Sequence, residues 1–158
     1  LALQAVAWLG LDLHDPRLHE AIRTSRWAGR YEQVGDHPRV ILDGAHNPEG
    51  MAALTAAMKD LPHPRIAVFS ALKDKQGAKM RQMLEQAADR VLITQFDNAR
   101  ADTAEHLAGG KDPIIADWQQ AVREAVELAG PEGSVVITGS LYLISLVRPG
   151  LVSDSEAA

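Results

Sequence analysis

The chain has 158 residues, 46% of them apolar and 23% charged, with a formal net charge of −5. That is one domain of ordinary size with enough apolar material for a sound core. The acidic balance without any basic stripe excludes a dedicated nucleic-acid binder, no apolar run reaches membrane-spanning length, and the absence of cysteine excludes disulfides, thiolate metal sites and a cysteine nucleophile.

A cytoplasmic setting fits this composition. The chain opens on Leu1 and not on Met, so a piece of a longer protein is expected. Residues 1–25 read as two helices. Gly10 ends the first, and Asp15-Pro16 supply the N-cap and first position of the second, which carries Leu18, Ala21 and Ile22 at helical spacing. This piece has too little apolar surface to fold alone. Trp27-Ala28-Gly29-Arg30 is a linker by composition: an aromatic anchor, a glycine pivot and a cation. A short edge strand is expected over 31–34, and Gly35-Asp36-His37-Pro38 turns the chain into the next strand.

Val40-Ile41-Leu42 is the apolar run of a strand buried on both faces. Asp43 ends it, Gly44 lets the backbone turn, and Asn47-Pro48 read as N-cap and first residue of a helix. Asp43 and His46 therefore lie at the carboxyl end of a strand and beside a helix N-terminus. Open α/β sheets bind ligands there, and free N–H groups favour anions. The helix over 48–59 places Met51, Leu54 and Met58 on one face, as core.

Ile66-Ala67-Val68-Phe69 is the next buried strand, and a polar loop leads to a helix with Met80, Met83, Leu84 and Ala87 inside. A third strand covers 90–94. Asp102 is expected to cap a short helix ending near Leu107. Gly109-Gly110-Lys111 is a loop without the spacing of a P-loop. After a brief strand at Ile114-Ile115-Ala116, Asp117 caps a helix whose apolar face carries Trp118, Val122, Ala125, Val126 and Ala129. Gly130-Pro131 stops it. The last central strand covers 134–138, and Gly139-Ser140 turns into a helix over 141–147.

Strands alternate with helices, which predicts an α/β fold: a mostly parallel sheet with helices on both faces. Asp43, Ser70, Thr94 and Thr138 collect at its carboxyl edge. No catalytic triad and no H-x-x-x-H metal spacing is visible. Shape alone leaves open whether Asp43 and Ser140 merely cap helices and whether Arg30 is a solvated turn residue.

Asp43-Gly44-Ala45-His46-Asn47-Pro48 resembles the signature that opens the C-terminal domain of the folylpolyglutamate synthase/dihydrofolate synthase branch of the Mur ligase family. Trp27-Ala28-Gly29-Arg30 is similar to that family's Trp-Pro-Gly-Arg, with Ala28 in place of Pro. Leu72-Lys73-Asp74-Lys75-Gln76 is similar to its Leu-x-Asp-Lys-Asp, with Gln76 in place of the last Asp. Arg100-Ala101 and Thr138-Gly139-Ser140-Leu141-Tyr142 match further motifs, so the resemblance covers nearly the whole chain.

The resemblance implies a Rossmann-like glutamate ligase C-terminal domain over 27–150. Residues 1–26 would be the helical tail of a missing N-terminal ATPase domain plus linker, and 151–158 a disordered tail. It implies an ATP-dependent ligase adding L-glutamate to dihydropteroate, tetrahydrofolate or both. ATP phosphorylates the acceptor carboxylate, and the glutamate amine then displaces phosphate. In the family the P-loop, the Mg2+ ligands and most of the folate site belong to the N-terminal domain, whose motifs are absent here. This chain is therefore expected to be inactive alone and to hold no metal itself.

By the same resemblance Arg30 serves the ATP phosphates and catalysis, and Asp43 the ATP ribose hydroxyls. His46 is catalytic and lies on the glutamate side with Ser140. The linker 27–30 would be the hinge of domain closure. Expected partners are ATP, L-glutamate and a folate or dihydropteroate, with no nucleic acid, no membrane and a monomeric enzyme. Two alternatives remain: another amino-acid ligase of the Mur superfamily, or a non-catalytic α/β domain binding at the same sheet edge.

Overall fold

The computed structural model describes residues 2–10, 12–110 and 112–152, so Lys111 and residues 153–158 of the tail expected over 151–158 lie outside the described residues. Helices α1 (Ala2–Trp8) and α2 (Pro16–Thr24) come first. Asp15 caps α2 by accepting the Arg17 amide at 2.8 Å, and Pro16 fills its first position. α2 buries none of its residues, and Trp8 and Trp27 are 96% and 76% exposed.

The rest is a six-stranded sheet in the order β1-β2-β6-β3-β4-β5. Its strands are β1 (Glu32–Asp36), β2 (Arg39–Asp43), β3 (Arg65–Phe69), β4 (Arg90–Gln95), β5 (Ile114–Asp117) and β6 (Ser134–Thr138). β1 is an antiparallel edge strand on β2, and every other pairing is parallel. Side chains alternate across the pleat, so each central strand feeds two cores. On one face Ile41, Phe69, Ile93 and Val136 pack with Met51 and Leu54 of α3 (Pro48–Ala57), Met80 and Leu84 of α4 (Gly77–Glu85) and Leu107 of α5 (Ala104–Ala108). On the other, Leu42, Val68, Leu92 and Ile137 pack with Val122 and Ala125 of α6 (Trp118–Ala129) and Leu143 and Val147 of α7 (Leu141–Val152).

Two local expectations are corrected. Thr103, not Asp102, caps α5, its hydroxyl accepting the His106 amide. Thr103 is still extended, with a ψ of 147°, so the helix starts one residue later. The Asp102 carboxylate pairs instead with His106 Nδ1 at 2.7 Å. The last helix also runs past 147 to Val152, through Pro149, so the described part of the expected tail is helical. Pro149 has no N–H to donate to the Ser145 carbonyl, but Ser145 is exposed and water can reach it, while Leu151 still packs on the second core.

Candidate functional site

The chain leaves β2 and β3 into α3 and α4 on one face and leaves β6, which lies between them, into α7 on the other. The carboxyl ends of β2, β6 and β3 therefore flank a topological switch point, where the diverging connections leave a crevice. The turn after β2 is built by short-range bonds. Asp43 is half-buried, and its carboxylate accepts the amide of Ala45 at 2.8 Å and that of Tyr31 at 2.7 Å. Gly44 donates to the Gly29 carbonyl at 2.8 Å, and a Cβ on Gly44 would stand 2.2 Å from Leu141 Cδ2, so a side chain here would have to displace Leu141. Asn47 caps α3 by accepting the Gly50 amide at 2.7 Å.

The Gly44 carbonyl then sets two side chains. It accepts from Arg30 Nη1 at 3.3 Å and lies 2.8 Å from His46 Nδ1. A carbonyl only accepts, so Nδ1 carries the proton, and the lone pair of the neutral ring is on Nε2. That leaves His46 Nε2 able to take a proton from, or accept a hydrogen bond from, a ligand.

Ser140 is 1% exposed and its hydroxyl accepts the Tyr142 amide at 3.2 Å, so it does cap α7. It also lines a cavity of about 170 Å³ together with His46, Lys75, Arg100, Leu141 and Tyr142. Larger hollows exist, but one lies among Glu85, Asp89, Arg90 and Asp112 at the amino end of β4, away from the switch point. The small cavity gathers a lysine, an arginine, an imidazole and a serine hydroxyl. That set complements a small molecule bearing carboxylates.

Sequence reading assigned no site role to Lys75 or Arg100. Each lies a few residues past the carboxyl end of a strand, the signal that could have marked them. What brings them together is a clasp between two loops. Leu72 bridges Ala101, the Lys73 amide donates to Arg100 O at 2.9 Å, and the Asp102 amide donates to Ala71 O at 2.9 Å. Arg100 Nη2 adds an ion pair to Asp74 Oδ2 at 3.0 Å.

Of the sequence-predicted residues, His46 and Ser140 meet in this cavity. Arg30 and Asp43 do not line it; each is bonded into the Gly44 turn, Arg30 to the Gly44 carbonyl and Asp43 to the Ala45 amide. Ser70 and Thr138, also expected at this edge, are fully buried, and their hydroxyls have no hydrogen-bond partner among the described residues. Among the described residues no group of three or more His, Asp or Glu could hold a metal ion, so no step is assigned to a metal here.

A mostly parallel sheet with a ligand-sized crevice at its switch point is the architecture of a nucleotide- or substrate-binding α/β domain. The chain belongs to the Mur ligase, glutamate ligase domain family, which it matches over residues 29–141. Within that family its similarity is to the folylpolyglutamate and dihydrofolate synthases. It is 37% identical over 161 residues to the dihydrofolate synthase/folylpolyglutamate synthase of Bacillus subtilis, covering 96% of this chain and 37% of that protein. It is 32% identical over 154 residues to the Escherichia coli protein of the same name, covering 92% of this chain and 36% of that one. The chain thus spans little more than a third of these relatives.

Its structure matches Escherichia coli FolC in complex with DHPP and ADP at a TM-score of 0.85 and 30% identity, over 99% of this chain and 38% of that one. It also matches a bifunctional folylpolyglutamate synthase/dihydrofolate synthase with Mn, AMPPNP and L-glutamate bound at a TM-score of 0.82 and 25% identity, over 95% and 38%.

Proposed function

We propose that this chain is the C-terminal domain of an ATP-dependent ligase that joins L-glutamate to dihydropteroate, tetrahydrofolate or both through an acyl phosphate. The observation that carries this reading is the convergence of His46, Lys75, Arg100 and Ser140 on one small cavity at the switch point. The similarity to proteins named for this reaction supports it. ATP and a divalent metal come to this reading from relatives holding ADP, or AMPPNP with Mn, and the metal ligands are assigned to the portion of the enzyme outside this chain.

In this reading the cavity holds the incoming glutamate. Lys75 and Arg100 bind its carboxylates, and Ser140 forms the floor. The His46 Nε2 lone pair faces the amine and takes the proton released when nitrogen attacks the acyl carbon. The acyl–oxygen bond then breaks and phosphate leaves. Arg30, held beside the Gly44 turn, offers a planar fork of donors to the phosphoryl oxygens, and Asp43 offers its remaining lone pairs to ribose hydroxyls.

The test is ATP-dependent addition of radiolabelled L-glutamate to dihydropteroate and to tetrahydrofolate by the complete enzyme and by this chain alone. Turnover by the complete enzyme with none from the chain is expected. Clear turnover by the chain alone would overturn the two-part site. A second reading has one observation behind it: 37% identity over 116 residues to a UDP-N-acetylmuramoyl-L-alanyl-D-glutamate–2,6-diaminopimelate ligase, across 65% of this chain. Incorporation of diaminopimelate and not glutamate in the same assay would favour it.

A further inference from the structure

The two permanent cations of the cavity share a counter-ion that does not line it. Asp74 Oδ2 accepts from Arg100 Nη2 at 3.0 Å and lies 3.7 Å from Lys75 Nζ. The loop clasp fixes the backbone of both partners: Lys73 N bonds Arg100 O, and Lys75 N bonds Leu72 O at 3.0 Å. Asp74 and Arg100 are 51% and 58% exposed, so their pair is weak and easily exchanged. Desolvation pulls the Asp74 carboxyl up, but the Arg100 hydrogen bond and the charges of Arg100 and Lys75 outweigh it and hold the group below the usual aspartate range. It is a carboxylate throughout the neutral range.

We propose that Asp74 is a positioning residue that occupies Arg100 and Lys75 while the cavity is empty and yields them to the carboxylate of the anionic amino acid that enters. The inference rests on the reading of the cavity as the glutamate subsite. Without Asp74 two like charges would stand together at an empty pocket. With it, a ligand must bring a carboxylate of its own to release them. Asp74 is then an internal competitor, and its removal tightens binding of a diacid more than binding of a ligand that keeps only one of its carboxylates.

The experiment follows the backbone amides of His46 and Ser140 by NMR in the 158-residue chain, titrated with L-glutamate and with L-glutamine. Asp74→Asn should tighten L-glutamate about three- to fivefold, tighten L-glutamine, which keeps one of the two carboxylates, by less, and lose its effect in an Arg100→Ala background. A purely structural role for Asp74 would weaken binding. Weaker or unchanged L-glutamate affinity in Asp74→Asn, with the parent binding normally, overturns the competitor role alone. No L-glutamate-dependent shift at His46 and Ser140 in the parent overturns the cavity reading and this proposal with it.

Discussion

Asp43 accepts the amide of Tyr31 at 2.7 Å, and Tyr31 has a φ of 44°. A side-chain-bearing residue in that region costs about 1–2 kcal/mol, and it persists only where neighbours hold it. The holders are Asp43 on the Tyr31 amide and the Ala57 carbonyl, which the Tyr31 hydroxyl reaches at 3.2 Å. Between them they place Arg30, the preceding residue, beside the Gly44 turn. Asp43→Ala strips an acceptor from two amides and should lower stability by about 1–3 kcal/mol in urea unfolding. Adding Tyr31→Gly should recover part of the loss, since glycine takes the positive φ without strain. No recovery would mean that Tyr31 is not held against its preference.

On the proposed function, Arg30→Ala in the complete enzyme should lower kcat on the order of a hundredfold with folding intact, as expected for loss of a donor aimed at developing phosphoryl charge. Arg30→Lys should rescue poorly, because one ammonium cannot replace a planar fork. Steady-state kinetics decide it; an unchanged kcat in the alanine variant would return Arg30 to a solvated turn residue.

The strands and helices that build this site were legible because each is a local pattern. Val40-Ile41-Leu42 and Val135-Val136-Ile137 are apolar runs of strand length, and Asn47, Asp117 and Gly130 punctuate helices where they were read to do so. The placement of β6 between β2 and β3 was not legible, because strand order is decided by crossovers spanning the whole chain. For the same reason the cavity was half visible. His46 and Ser140 sit in motifs at strand ends, but Lys75 and Arg100 meet only through the clasp between Leu72 and Ala101, a contact with no local signature. Asp102 misled because its capping chemistry was real but its carboxylate is taken by the Thr103 amide and by His106 Nδ1.

Glu32 ties the start of the sheet domain to its last helix. Its carboxylate accepts two donors of Arg148 at 2.8 to 3.1 Å and the Gly29 amide at 2.7 Å. The Arg148 hydrogen bonds, with the Gly29 amide, outweigh desolvation and hold the Glu32 carboxyl below the usual glutamate range. A depressed folded value means that the contribution is fully present above about pH 5, the top of the unfolded range, and is lost as pH falls through the folded value. Glu32→Gln should therefore cost about 1 kcal/mol at pH 7, after allowance for the water that reaches Arg148. The difference from the parent should narrow as the pH falls from 7 through the folded value. Urea midpoints across that range read it directly, and a gap that stays constant would remove Glu32 ionisation from the account.

The turn expected as the hinge, 27–30, is bonded into the sheet domain, and on the proposed function the pivot of domain closure is expected upstream of it. Gly29 looked like a free hinge, yet it is buried, its carbonyl takes the Gly44 amide, and its own amide is held by Glu32. The Arg30 amide returns to the Trp27 carbonyl at 3.0 Å, with Gly29 at a φ of 67°. That is a four-residue turn of the type that wants glycine third and favours proline second, where Ala28 stands. The turn therefore belongs to the sheet domain and carries Arg30 with it. Residues 25–27 precede it without regular secondary structure, with Trp27 largely exposed, and α2 before them buries nothing. Bending there breaks no packing, whereas bending at Gly29 would break bonds to Gly44 and Glu32. Ala28→Pro should consequently raise the stability of the chain by about 0.4–1 kcal/mol through the unfolded state and leave closure untouched. In the complete enzyme, paired spin labels on either side of residue 26, read with and without ATP and acceptor, should give the same two distances for the parent and for Ala28→Pro. A Pro at both 25 and 26 should instead bias the distribution towards one of them. A shift caused by Ala28→Pro alone would put the hinge back at Gly29.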